Sequence, residues 1–567
     1  MIALYRKIII ELLVMIVYGL AIGMLLAIAA NAFIEGVNIA SAYRVSSSWA
    51  LFDFKGSTYS FSGILFLLLA ALILKLLKVF LKIDAWGGPA DSIYAAHDPN
   101  PELSVKKGFG STLSAFIVAS SGGSVGQYGP LVHFGSTAGL LFKKIVTNRL
   151  NNDVLIGCGV AAAISAGFNA PLAGVIFAHE AILRHFSLRA IAPIFIASIS
   201  ANAFSQSLFG ATDNIFNLSQ TVPALGEIIP IFLILGPIFS LIAIVFMVSL
   251  RFMSAFASSS VKLRSYLPFI AAIICGIVGT FFPEILGIGI EPINQIIANQ
   301  FSIQYVFALL VAKISMTALC IGFGLFGGVF SPALFIGVTT GSVATFFLSQ
   351  LGQAGIEQVV IISAMAAVSA SVIGAPISII IIVLELTGSY DYAIAAMMAV
   401  VISSLITNRV FGSSFFDRQL LDRGINMALG RESIALHKTK VSSCEGTQFV
   451  RLEVDTAGVD AYKLMETAGV VEAYVLTDDD KFFGKLTLYD AVRANDEAIL
   501  KFIDHNPFSL CESDSLHHAM HKITDFVGES IPIISTETDT LKTVLTEGNI
   551  FQAVLDIQNT IRKIEKD

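Results

Sequence analysis

Val160-Ala-Ala-Ala-Ile-Ser-Ala-Gly-Phe-Asn-Ala-Pro171 has a matching segment 205 residues later, Met365-Ala-Ala-Val-Ser-Ala-Ser-Val-Ile-Gly-Ala-Pro376. In both copies an Ala-Pro pair ends the segment, and a glutamate (Glu180 or Glu385) follows nine residues after the proline. Proline and glutamate agreeing at a fixed spacing indicate a duplicated half rather than chance similarity among small apolar residues. Duplicated halves with broken helices that meet near mid-membrane are typical of transporters.

A second pair of matching segments lies upstream at nearly the same offset. Gly126-Gln-Tyr-Gly-Pro130 and Gly328-Val-Phe-Ser-Pro332 stand 202 residues apart, and each leads through its proline into an apolar segment. Proline suits the first turn of a helix, and glycine lets a solute approach the backbone closely. Free amides and the dipole at a helix N-terminus favour an anion.

A third candidate loop is Trp86-Gly-Gly-Pro89. The three loops predict a dehydrated anion held by backbone amides without any full positive charge, which would suit passage because a bound ion must also leave. The alternative is that the glycines only allow close helix packing, and each loop taken alone leaves both interpretations open.

The composition divides the chain into two parts. Of 567 residues, 55% are hydrophobic and 14% charged, against about a quarter charged in soluble proteins. Residues 433–567 hold 36 charged side chains with a net charge of −10, whereas residues 1–432 have a net charge of +3. We therefore predict an α-helical multi-pass membrane domain at 1–425 and a soluble α/β domain at 433–567. Segments long enough to cross a bilayer are 8–33, 60–82, 191–209, 226–250, 303–325 and 392–407.

Several function classes are disfavoured by the same composition. There is no basic excess to indicate nucleic-acid binding, and the five cysteines are scattered without the spacing of a zinc site. We expect free thiols, no metal site, no bound cofactor and no enzymatic activity.

The C-terminal part contains its own repeat. Residues 473–487 and 531–546 each read as a strand, a polar turn and a second strand, and each is followed by a helical pattern. The copies lie about 58 residues apart. They predict a repeated α/β module, with halves at about 433–500 and 501–567.

Over roughly residues 10–425 the sequence resembles the ClC family of chloride channels and chloride/proton exchangers. The two glycine-proline segments at 126–130 and 328–332 are similar to the family's GREGP and GIFAP loops, and 85–89 is similar to a degraded GSGIP loop. Segments 167–174 and 384–388 also fit the family. The resemblance implies the ClC fold with inverted-repeat halves and a homodimer with one anion pathway per subunit. The chloride-binding or pore positions it implies are Trp86, Gly87, Gln127, Tyr128, Gly129, Val329, Phe330 and Phe416.

The departures from the family pattern carry the functional prediction. Tyr128 stands at the position of the gating glutamate and Ala181 at that of the inner, proton-accepting glutamate. Trp86 replaces the chloride-coordinating serine, and Phe416 aligns with the pore tyrosine. Tyrosine has a pKa of about 10 and stays neutral at physiological pH, while alanine can neither carry a proton nor repel an anion.

The sequence therefore predicts a passive chloride channel uncoupled from protons. One alternative is a chloride/proton antiporter with altered coupling that uses another carboxylate, such as Glu180. Another is a nucleotide-sensing protein whose pore is nearly closed. Tyr128 is either a movable plug, the gate position, or the lining of an open vestibule, and the sequence does not decide between them.

The C-terminal repeat resembles a pair of cystathionine-β-synthase-type (CBS) domains. Thr487 and Asp490 in the first copy, and Thr546 and Asn549 in the second, fit the ribose-binding pattern of that family, although Lys485 and Thr543 depart from it. The resemblance implies an adenine nucleotide, such as ATP; the alternative is a module that only dimerises and packs. It also implies that this domain is cytoplasmic, and we expect the chain to lie in the lipid of the cell (inner) membrane.

Overall fold

The computed structural model describes residues 2–47, 50–54, 57–99, 101–145, 150–186, 188–210, 216, 218–260, 262–477 and 479–566. These form two compact units, Met1–Gly424 and Ile425–Asp567. The sequence placed the corresponding domains at 1–425 and 433–567.

The first unit is built from helices, joined near its start by a hairpin of β1 (Leu51–Phe54) and β2 (Ser57–Ser60). Its first half contains α1 Ile2–Val45, α2 Ser62–Leu81, α3 Pro89–His97, α4 Val105–Ser120, α5 Tyr128–Ile145, α6 Asn152–Phe168, α7 Pro171–Phe177 with a π-helical continuation at Ala178–Leu183, and α8 Leu188–Phe209. Its second half contains α9 Leu225–Ser259, α10 Leu267–Phe281, α11 Ile290–Ile297, α12 Ile303–Gly322, α13 Phe330–Gln350, α14 Glu357–Ile373, α15 Pro376–Thr387, α16 Tyr390–Val410 and α17 Phe415–Leu421.

Within the described residues, seven helical stretches are long and apolar enough to cross a membrane. All six apolar segments expected from the sequence fall on or largely within them. The seventh, Phe330–Gln350, is not among the six segments predicted to cross the bilayer. Pro332 lies in the first turn of this helix, where a missing N–H costs no helical hydrogen bond, so the helix begins before the proline and is long enough to span.

The duplication predicted from the sequence is visible in the helix boundaries. α6 and α14 begin and end 205 residues apart, and both end in a left-handed residue, Asn169 or Gly374. α7 and α15 then start at Pro171 and Pro376. The left-handed turn reverses the chain after the first helix, and the proline supplies a pre-formed first turn for the next.

Two sets of reciprocal contacts relate the halves. Gly126 and Gly328 form an antiparallel bridge, each amide donating to the other's carbonyl at 2.7 and 2.6 Å. Because equivalent residues of the two copies exchange equivalent bonds while running in opposite directions, a local two-fold axis passes between them. This geometry supports the predicted inverted relation of the halves.

The two repeated glutamates exchange caps in the same way. The carboxylate of Glu385 accepts from the amides of Leu172 and Ala173 at the start of α7, at 2.9 and 2.8 Å. The carboxylate of Glu180 accepts from the amides of Ile377 and Ser378 at the start of α15, at 2.9 and 2.7 Å. Each half thus supplies the acceptor for first-turn amides that have no partner within their own helix.

The second unit contains two copies of one motif. The first is β3 Val450–Glu453, α19 Gly458–Ala468, β4 Glu472–Leu476, β5 Phe482–Thr487 and α20 Leu488–Ala494; the second is β6 Leu510–Cys511, α21 Leu516–Lys522, β7 Ile531–Ile534, β8 Leu541–Leu545 and α22 Glu547–Lys566, with α18 Gly430–Lys438 ahead of both. In each copy the first two strands pair parallel and the last two antiparallel. The predicted strand, turn, strand and helix pattern is confirmed in both.

Exchanging either capping glutamate for glutamine tests the reciprocal caps. We expect Glu180→Gln and Glu385→Gln each to lower the free energy of unfolding by about 1–3 kcal/mol, because a charge-assisted acceptor is replaced by a neutral one. Thermal unfolding of detergent-solubilised protein would measure the change. Glu102→Gln, an exposed position in the loop before α4, is the control and should leave the midpoint unchanged. Equal midpoints for all three variants would contradict the capping role.

Candidate functional site

The N-termini of α5 and α13 meet at the bridge between Gly126 and Gly328. The first helical hydrogen bonds run from Leu131 to Gln127 and from Ala333 to Val329, at 3.2 and 3.0 Å. The preceding amides, from Tyr128 and Gly129 on one helix and from their counterparts on the other, therefore have no intrahelical acceptor. Two sets of amides that have no hydrogen-bond partner in the described part of the chain, each at the positive end of a helix dipole, favour an anion at this place.

Glycine is required at both ends of this bridge. A Cβ on Gly126 would lie 3.0 Å from the amide nitrogen of Ser331, and one on Gly328 would lie 3.0 Å from that of Gly129. The equivalence of these two clashes follows from the local two-fold axis. A side chain at either glycine would crowd the backbone of the opposite helix start, which would have to shift by a few tenths of an ångström.

An aromatic cluster of Tyr128, Phe168, Phe177 and Phe330 packs at this junction. The Tyr128 ring stacks on Phe168 with centroids 3.6 Å apart and meets Phe330 edge-on at 5.5 Å. Phe168 and Phe330 lie 4.9 Å apart, and Phe177 contacts Phe330 at 6.4 Å. Tyr128 is 3% exposed. The phenol thus lies in a closed apolar setting at the meeting point of the helices.

Sequence reasoning missed Phe168 and Phe177 as members of this site. Gly167 precedes Phe168 in the repeated segment, and a Cβ there would lie 3.1 Å from a ring carbon of Tyr128. The Gly167-Phe168 pair at the end of α6 is therefore the sequence signal that could have indicated this contact. The glycine makes room for the Tyr128 ring, and the phenylalanine stacks on that ring.

Two buried polar side chains at the helix starts have no hydrogen-bond partner among the described residues. Both amide atoms of Gln127 are unpaired, as is Oγ of Ser331. Gln127 is fully buried and Ser331 is 2% exposed. Buried polar groups of this kind are rare in folded proteins, and both adjoin the unpaired amides, so donors and acceptors are concentrated at one point.

The third glycine loop differs from the expectation of free amides. The amide of Gly87 donates to Oγ of Ser111 at 2.8 Å, and the amide of Gly88 donates to the Asp91 carboxylate at 2.8 Å. The two amides are satisfied in different ways. Asp91 caps Gly88 from within the first turn of α3, a local capping box, whereas Ser111 reaches Gly87 from α4, 24 residues later, a contact that local sequence does not reveal. The indole N–H of Trp86 is buried and unpaired, and its ring lies 6.2 Å from Phe326.

The remaining predicted pore positions lie on separate elements. Phe416 is 7% exposed on α17, with its ring 6.0 Å from that of Phe415. Val329 is buried beside Phe330. Ala181 is 5% exposed in the π-helical segment that follows α7, next to the capping Glu180. The described ring contacts join Tyr128 and Phe330 but do not join Trp86 or Phe416 to the aromatic cluster.

Two buried cations were also missed by the sequence prediction, which considered amides without full charges. Lys313 on α12 is fully buried, and its Nζ donates to the carbonyls of Ile285 and Gly287 at 2.9 and 3.3 Å. Arg44 near the end of α1 is 7% exposed, and its guanidinium lies against Gly122 in the loop leading to Gly126.

In the second unit, the four predicted nucleotide-binding residues act as helix caps. Thr487 Oγ1 accepts from the amide of Asp490 at 3.2 Å and donates to its carboxylate at 2.6 Å. Thr546 and Asn549 repeat the arrangement at the start of α22, at 3.2 and 2.7 Å. The Thr-x-x-Asp/Asn pattern is thus explained locally by N-capping.

Lys485, which departs from the ribose-binding pattern, has a structural partner. Its Nζ donates to the Glu472 carboxylate at 2.8 Å, and Ser530 donates to the same carboxylate through its amide and its hydroxyl, at 2.9 and 2.7 Å. Burial by itself raises the pKa of Glu472, but the hydrogen bonds from Lys485 and Ser530 outweigh it and hold that pKa below its ordinary value. The network joins the first copy of the motif to the second.

The comparisons with known proteins agree with this geometry. The family model described as voltage gated chloride channel matches residues 66–408. A ClcB-like protein of Ralstonia nicotianae is 25% identical over 330 residues, 56% of this chain and 76% of the relative. The voltage-gated ClC-type chloride channel ClcB of Escherichia coli K12 is 24% identical over 310 residues, 54% of this chain and 73% of the relative.

Solved structures show the same fold at low identity. A slow cyanobacterial Cl⁻/H⁺ antiporter has a TM-score of 0.65 at 19% identity, covering 72% of this chain and 97% of that one. A eukaryotic CLC transporter has a TM-score of 0.62 at 16% identity, covering 95% of this chain and 98% of that one. The second likeness extends into the C-terminal unit.

The Glu472 network predicts how acid destabilises the C-terminal unit. Because the folded-state pKa of Glu472 lies below the unfolded value, its contribution is present above the unfolded pKa and is lost as pH falls through the folded one. Between about pH 5 and pH 3, we expect the protection of β4 and β5 against hydrogen exchange, corrected for intrinsic rates, to fall in the wild type. Glu472→Gln should start lower and vary less, whereas the exposed control Glu537→Gln should follow the wild type. Identical pH profiles for all three would contradict the assignment.

Proposed function

The chain belongs to the voltage-gated chloride channel family, and on that basis we propose that it conducts chloride passively, without coupling to protons. The observation that carries the proposal is the side chain at the meeting point of α5 and α13. It is the phenol of Tyr128, enclosed by Phe168 and Phe330, where the family resemblance expects a carboxylate. A phenol donates a hydrogen bond to an anion but stays neutral at physiological pH. It therefore does not bind and release a proton during each transport cycle.

The second proton position supports the same proposal. Ala181 has no ionisable group, and the carboxylate of its neighbour Glu180 is engaged by the amides of Ile377 and Ser378 and by the Ser378 hydroxyl, at 2.6–2.9 Å. Protonating Glu180 would weaken a helix cap. This argues against the second candidate function, an antiporter that uses Glu180.

Two structural relatives are proton-coupled exchangers, which is the basis of that second candidate. One relative is described as a Cl⁻/H⁺ antiporter and another as a fluoride/proton antiporter. Their sequence identity to this chain is 19–20%. At that identity the likeness shows a shared fold alone, and whether chloride transport is coupled to protons depends on this chain's own residues.

The proposal extends to assembly and location. We place the chain in the cell (inner) membrane as a homodimer, with its C-terminal unit in the cytoplasm as a CBS-type pair. Support for the pair comes from the two β-α-β-β-α copies and their Thr487–Asp490 and Thr546–Asn549 caps. An adenine nucleotide would have to compete with these caps for the same side-chain oxygens, and Lys485 is already paired with Glu472. These contacts favour ATP regulation less than they favour the alternative, a module that only dimerises and packs. The proposal includes no metal and no enzymatic step.

Reconstituted liposomes test the coupling directly. With an outward chloride gradient and a potassium ionophore, we expect the wild type to release chloride without moving protons, as read by a trapped pH dye. Proton movement against its own gradient would overturn the proposal, and its loss in Glu180→Gln would establish the second candidate. Absence of chloride flux with and without ATP would favour a nucleotide sensor.

The double variant Tyr128→Glu/Ala181→Glu serves as the matched positive control. Because it places carboxylates at both proton positions, we expect its chloride flux to become dependent on pH, whereas the wild-type flux should vary little between pH 5 and pH 8. An unchanged profile in the double variant would contradict the assignment of these two positions.

A further inference from the structure

Two full positive charges lie inside the membrane unit beside the loops that lead to the helix junction. Lys313 is fully buried and Arg44 is 7% exposed. In the described part of the chain, no Asp or Glu pairs with either one. Burying an unpaired cation is costly, and an apolar side chain of similar size would be neutral or stabilising in its place.

Lys313 is tied to the junction through its own helix. Its Nζ lies 4.9 Å from the ring centroid of Phe335, on α13 one turn beyond the helix start. Thr317, one turn further along α12, shares a hydrogen bond of 2.9 Å with Ser124, two residues before Gly126. Through this hydrogen bond α12 packs against the loop that leads to the bridge, four residues along the helix from Lys313.

Arg44 approaches the same loop from the other side. A Cβ on Gly122 would lie 3.2 Å from Nε of Arg44, and that Nε has no partner in the described residues. Gly122 is in a left-handed conformation with φ +95°, so glycine there both makes the turn and lets the guanidinium lie on the backbone.

We propose that Lys313 and Arg44 set the preference for anions over cations by fixing a positive potential at the junction of α5 and α13, without touching the ion. The carbonyls of Ile285 and Gly287 compensate part of the cost of burying Lys313, while an anion at the junction compensates the rest. In a low-dielectric interior such a potential acts over several ångströms, and bulk salt screens it little.

This inference deepens the proposed function and rests on chloride conduction, but not on the absence of proton coupling. A purely structural alternative is that Lys313 only fastens the segment 285–287. That role would affect stability and would not alter which ions pass.

The test is the reversal potential of reconstituted protein in a KCl gradient. We expect Lys313→Met and Arg44→Gln each to lower the chloride-to-potassium permeability ratio about tenfold, with the loss persisting in 1 M salt, and Lys313→Arg to restore the wild-type ratio. Lys107→Met, which removes a partly exposed lysine paired with Asp91 at 3.4 Å, is the control and should leave the ratio unchanged.

The outcomes separate this inference from the proposed function. Folded, monodisperse Lys313→Met and Arg44→Gln proteins with wild-type selectivity would overturn the inference alone. Wild-type chloride flux accompanied by protons would overturn uncoupled conduction while the selectivity comparison still stands. If Lys313→Met fails to fold, Arg44→Gln decides the same question.

Discussion

The backbone exchange between Gly126 and Gly328 is the contact on which the rest of the membrane unit depends. It joins equivalent residues of two repeated halves and brings the starts of α5 and α13 together. Hydrogen bonds in a low-dielectric interior are strong when made and costly when lost, so this bridge fixes the two helix starts in register. The unpaired amides, the stacked Tyr128 ring and the buried Gln127 side chain all take their positions from it.

The exchanged caps of Glu180 and Glu385 show the same two-fold symmetry at a second place in the membrane unit. A carboxylate inside a membrane protein is usually a candidate for ion or proton handling, yet here each one completes the hydrogen bonding of a broken helix in the opposite half. Broken helices survive in a membrane only where their free backbone groups find partners. The glutamates that the sequence singled out are therefore part of the architecture, and the positions where relatives are expected to carry proton-handling glutamates are occupied by Tyr128 and Ala181.

Much of the fold was predicted from local sequence signals. The features that were not predicted share one physical cause. The 205-residue offset predicted the paired helices α6/α14 and α7/α15, and alternating strand patterns predicted the C-terminal motif, because turn residues and prolines act over a few residues. The satisfied amide of Gly87, the stacking of Phe168 on Tyr128 and the burial of Lys313 were not predicted. Each depends on a side chain brought from a distant segment, which no local pattern encodes. Likewise, Thr487 and Asp490 fit a ligand pattern and a helix cap equally well in sequence, and the geometry shows the cap.

We propose that anions cross this protein along a path without a titrating carboxylate. The reversal potential of the reconstituted protein, measured at a fixed chloride gradient while the pH gradient is varied, tests it most directly. We expect a reversal potential set by chloride alone, unchanged by a one-unit change in the pH difference across the membrane. A reversal potential that shifts with the pH gradient would contradict it.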